Sequence, residues 1–118
     1  MGVRPEAGLL EAMQGHARAT AGDFKPQEVT NLMWALATMG VKAAAGLLEA
    51  MQGHARATAG DFKPQEVTNL MWALATMGVK ADAGLSEAMQ GQAKATARDF
   101  KPQEVANLVW ALATMGVK

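Results

Sequence analysis

The sequence predicts an all-α fold, an α-solenoid of three stacked antiparallel helix pairs, and three observations predict it. The phrase FKPQEVTNLMWALATMGV at residues 24–41 returns unchanged at 62–79 and again, with two replacements, as FKPQEVANLVWALATMGV at 100–117, a period of 38 residues. Pro26, Pro64 and Pro102 divide each unit into two segments, and both segments carry apolar residues at helical spacing. A single helix pair cannot close its own core, so identical units stack and share one. The 118 residues are therefore one repeat array, with units at about 5–42, 43–80 and 81–118.

The first segment of each unit, GLLEAMQGHARATAG in the first two copies, places Leu9 or Leu10, Met13, Ala17 and Ala21 along one helical side and Glu11 with Arg18 on another. Gly8, Gly15 and Gly22 recur every seven residues on that polar side. A glycine inside a helix costs about 1 kcal/mol relative to alanine, so the stripe has two readings: close approach of adjacent first helices, or the floor of a groove.

The second segment opens with Pro26 where a missing N–H costs nothing, and Glu28 follows in the first turn, where negative charge suits a helix start. Lys25 is a poor cap, so Asp23 or water is expected to fill that role. Gly40 supplies a C-terminal stop. Val29, Leu32, Met33, Leu36 and Met39 form a broad apolar face, whereas Gln27, Asn31, Trp34 and Thr38 lie together on another side. That much apolar coverage predicts a helix sandwiched between neighbours. Each helix is expected to span about 15 residues, roughly 22 Å.

Residues 8–42 and 46–80 are identical at 35 positions, which recent duplication and deliberate assembly would both produce. The third unit departs at Asp82, Ser86, Gln92, Lys94, Arg98, Ala106 and Val109. Met1 to Arg4 resemble the end of a unit, Met39 to Lys42, as if the chain were cut from a longer array.

Composition narrows the function classes. Eleven basic side chains balance eleven acidic ones, so no whole-chain field steers the protein to nucleic acid or to an acidic membrane. No run approaches a membrane span, and no membrane partner is expected. The absence of cysteine removes thiolate chemistry and cysteine zinc sites. His16 and His54 are the only histidines and the third unit has Gln92 in their place, so no ligand or acid–base set converges; neither catalysis nor a cofactor is expected.

What remains is binding. Arg18, Arg56, Lys94 and Arg98 form a series suited to phosphates, opposed by Glu11, Glu49 and Glu87 on the same side. Gln14, Gln52 and Gln90, with His16, His54 and Gln92, complete the candidate RNA-contacting set. Trp34, Trp72 and Trp110 are read as core packing in preference to base stacking, and Asn31, Asn69 and Asn107 as structural ties in preference to base-edge readers. Neither terminal unit shows a polar cap, which predicts end-to-end or swapped self-association.

With Pro26-Gln27, Asn31-Leu32-Met33 and Trp34-Ala35-Leu36-Ala37, repeated at Pro64-Gln65, Asn69 through Ala75, Pro102-Gln103 and Asn107 through Ala113, the unit resembles the octotricopeptide repeat. That resemblance implies an organellar helical-repeat protein, in chloroplast or mitochondrion, binding single-stranded RNA to govern its stability, processing or translation. The family's first helices vary where base choice would be encoded, whereas here the first two are identical. The competing expectation is a protein-binding scaffold, since stacked helix pairs also hold extended peptides or partner helices.

Overall fold

The computed structural model describes residues 6–116, with no account of the Ala7 side chain. Residues 1–5 and 117–118, including the unit-like start at Met1 to Arg4, lie outside the described residues.

Six α-helices follow in order: α1 (Ala7–Ala19), α2 (Pro26–Thr38), α3 (Ala45–Ala57), α4 (Pro64–Thr76), α5 (Ala83–Ala95) and α6 (Pro102–Thr114). Each has 13 residues, shorter than the expected 15: a separate single turn of 3-10 helix, such as Ala21–Asp23, follows the first helix of each unit, and the second helix ends at the residue before its methionine C-cap. The Thr20 hydroxyl closes α1 by donating to the His16 carbonyl at 2.9 Å, and Thr58 and Thr96 repeat that bond. Gly22 and Arg98 consequently sit in the linker turns and not on the first helices, contrary to expectation.

The start of the second helix also differs from expectation. Asp23 does not fold back; the Glu28 carboxylate accepts from the Lys25 backbone N–H at 2.9 Å, and Glu66 and Glu104 do the same in their units. An acid three residues into the helix thus satisfies a donor that the lysine side chain, a donor itself, cannot. At the other end Gly40, with φ +73°, lets its own N–H reach the Ala37 carbonyl while Val41 reaches Leu36. This is a Schellman closure, and Gly78 and Val79 repeat it.

Units join mainly through equivalent helices: α2 packs on α4 and α4 on α6, while α1, α3 and α5 form a more loosely spaced second layer. A stack whose layers have unequal spacing curves toward the closer one, here the second helices. One continuous core runs through the junctions, with Val29, Met33, Leu47, Met51, Val67, Met71, Leu85 and Met89 buried. The central helix α4 is the sandwiched one, burying Val67, Leu70, Met71, Ala73, Leu74 and Ala75. No helix among the described residues is long and apolar enough to cross a membrane.

A candidate nucleic-acid interface

The first-helix layer gathers Glu11, Gln14 and Arg18 at a groove of about 450 Å³ between α1 and α3. Of its polar side chains, Gln14 is engaged in joining units. Gln14 Oε1 accepts from the Ala44 N–H at 3.0 Å, and Gln52 accepts from Asp82 in the same way. His54 Nε2 lies 2.6 Å from the Phe24 carbonyl. A carbonyl only accepts, so Nε2 carries the hydrogen. Gln92 supplies the equivalent donor to the Phe62 carbonyl at 2.9 Å, which accounts physically for glutamine standing where the earlier units have histidine.

The glycine stripe separates into two kinds of position. A Cβ on Gly46 would stand 2.9 Å from the Arg18 guanidinium, and one on Gly84 would stand 2.8 Å from that of Arg56. Gly15, Gly53 and Gly91 have nothing within 4 Å, so close helix approach is not what they provide. Glycine at the start of a first helix makes room for the arginine of the preceding unit. Arg18, Arg56 and Lys94 remain exposed, but so do Glu11, Glu49 and Glu87 beside them. His16 and Gln90, at the outer ends of the array, are exposed as well, and the Gln90 amide donates to the Ser86 hydroxyl at 3.0 Å.

The second-helix layer departs furthest from expectation. Trp34 is 45% exposed and Trp110 48%, outside the core, whereas Trp72 between them is half-buried and packs against it. The reason is helical phase. The lateral faces of α4 are taken by its contacts with α2 and α6, and the strip formed by Gln27, Asn31, Trp34 and Thr38, with its equivalents in the other two units, points out of the layer. The rings of Trp34 and Trp72 stand 6.4 Å apart, tilted by 31°.

The asparagines follow the tryptophans outward. Asn31 is exposed, Asn69 and Asn107 are half-buried, and none serves as the buried tie expected of it. Asn69 and Asn107 instead line a polar cleft of about 210 Å³ between α4 and α6, with Gln65, Gln103, Lys101, Glu104 and Thr68. The Thr68 hydroxyl is buried there without a hydrogen-bond partner. Its counterpart Thr30 donates to the Glu66 carbonyl of the next second helix at 3.4 Å. The signal for this surface was in the sequence, in the side shared by Gln27, Asn31, Trp34 and Thr38, but the tryptophan's hydrophobicity outweighed its phase.

The fold is a stack of helix pairs that carries one outward strip of tryptophan and amide side chains per unit. The family model described as the Tbc2 translation factor, N-terminal domain, matches residues 47–118, more than half of the chain. The chain belongs to that family. A second family model, of a protein of unknown function (DUF1601), matches residues 8–33. Those residues are identical to 46–71, so both descriptions fall on the same repeat. No curated protein and no solved structure matches the chain.

Proposed function

We propose that the array binds single-stranded RNA along the second-helix layer as a non-catalytic module of a translation-related, organellar regulator. The observation that carries this reading is the repeat-spaced row of partly exposed Trp34, Trp72 and Trp110 beside outward-facing amides. Unstacked bases lie on aromatic rings, at about 1 to 3 kcal/mol per base, and asparagine and glutamine can hydrogen-bond base edges. Lys101 borders the amide cleft, and Lys63 and Lys25 hold the equivalent position in their units, where they can meet phosphates.

The translation-factor family supports an RNA-related role, and the octotricopeptide-like pattern supports the organellar setting and one nucleotide per unit. On this reading the RNA lies along the second helices, away from Arg18, Arg56 and Lys94 on the first. The strips of all three units carry the same Gln, Asn, Trp and Thr and would favour the same base three times.

The test is binding of a fluorescent random single-stranded RNA pool across a salt series, with DNA and duplex controls. Saturable, RNA-preferring binding supports the reading. A helical preparation that binds no RNA at high micromolar concentration sinks it and favours a protein scaffold on the same curved surface.

A further inference from the structure

We infer that the cleft between α4 and α6 holds one RNA base, read jointly by Asn69 of one unit and Asn107 of the next, and that the base this pair selects is adenine. The inference rests on RNA lying along the second helices. Asn69 and Asn107 line the same cleft of about 210 Å³, so the reading surface is a junction of two units and not the face of one. Both asparagines are half-buried, whereas Gln65, Gln103 and Lys101 line the cleft from exposed positions. Asn31 is exposed, which sets this pair apart.

These amides are also unused by the fold. In the first-helix layer Gln14, Gln52, Gln90 and Gln92 all take part in hydrogen bonds. Among the described residues, none bonds to the side-chain amide of Asn69 or Asn107. The carboxylate that lines the cleft is engaged instead, because Glu104 Oε1 accepts from the Lys101 backbone N–H at 2.8 Å.

The chemistry of the bases then decides which one fits. An amide offers an acceptor beside a donor, and so complements an edge on which a donor stands beside an acceptor. Adenine carries that pattern on two edges, N6–H with N7 and N6–H with N1, so two amides from opposite walls can hold one adenine between them. Uracil and cytosine each have one such edge, which leaves the second amide unmatched. Guanine turns two acceptors, N7 and O6, to one edge and suits arginine, while the cytosine amino group suits a carboxylate. No arginine lines the cleft, and its carboxylate is committed to the start of α6.

Anisotropy titration with labelled rA, rU, rC and alternating rU-rG strands of equal length tests this. The parent should bind rA about tenfold or more tighter than the other three, the discrimination of one good bidentate pair. Asn69→Ala with Asn107→Ala should erase that preference and change rU affinity by less than about threefold, since the tryptophans that stack bases remain. Alanine is a better helix former than asparagine, so helicity should hold, and the parent's ranking of the four strands is decisive by itself. A parent that binds the strands equally, or prefers one other than rA, overturns the inference and leaves RNA binding standing. A folded variant that keeps the rA preference overturns it too. A parent that binds neither these strands nor a random RNA pool removes the inference together with the reading beneath it.

Discussion

His54 and Gln92 show how a single side chain joins two units. Each donates to the carbonyl of the preceding phenylalanine, so His54→Gln should leave stability within about 0.5 kcal/mol, whereas His54→Ala should cost about 1 kcal/mol by stranding the Phe24 carbonyl. Urea unfolding of both variants checks this. The same scale decides the binding strip. Replacing Trp34, Trp72 and Trp110 together by alanine should lower RNA affinity about a hundredfold or more, given roughly 1 to 3 kcal/mol per stacked base, while helicity persists because two of the rings are half-exposed. Substituting Arg18, Arg56 and Lys94 by glutamine should have the smaller effect. The sequence placed Trp34 correctly beside Gln27, Asn31 and Thr38, but residue type argued for the core. Type describes an average preference, and phase on a helix clamped from both sides determines which way a ring points.

The helix termini were legible where backbone chemistry dictates them and obscure where a distant side chain does the work. Pro26 at the start and Gly40 at the stop of α2 stand where expected, because each acts through its own backbone. The cap at Lys25 was missed because the Glu28 carboxylate supplies it from inside the helix. Linker turns that end in Asp23, Asp61 and Asp99 shorten the first helix of each unit, and a periodic apolar pattern does not mark them. One consequence is testable at this scale. Asp82 caps α5 by accepting from the Leu85 N–H at 2.7 Å, whereas the equivalent Ala44 gives α3 no side-chain cap. Ala44→Asp should therefore stabilise the chain by about 0.5 to 2 kcal/mol, read as a higher urea midpoint with an unchanged slope.

At the scale of the molecule, the period of 38 made the three-unit stack readable, since identical units demand identical neighbours. Which layer lies closer was not readable, because it depends on how side chains interdigitate between α2, α4 and α6. That spacing sets the curvature and moves the candidate surface from the first helices to the second. Balanced charge then predicts a modest salt dependence. With Lys25, Lys63 and Lys101 as phosphate contacts, log affinity should fall with log salt at a slope of about −2, and Lys63→Gln should reduce that slope by about 0.7.

The most direct test of RNA binding along the second helices is tryptophan emission during titration with single-stranded RNA, followed alongside anisotropy of the labelled RNA. The chain has three tryptophans and no tyrosine, and all three belong to the proposed strip. Bases stacking on that strip should quench the emission in step with the anisotropy and saturate with it. RNA binding that saturates by anisotropy while the emission stays unchanged would place the RNA elsewhere and contradict the account.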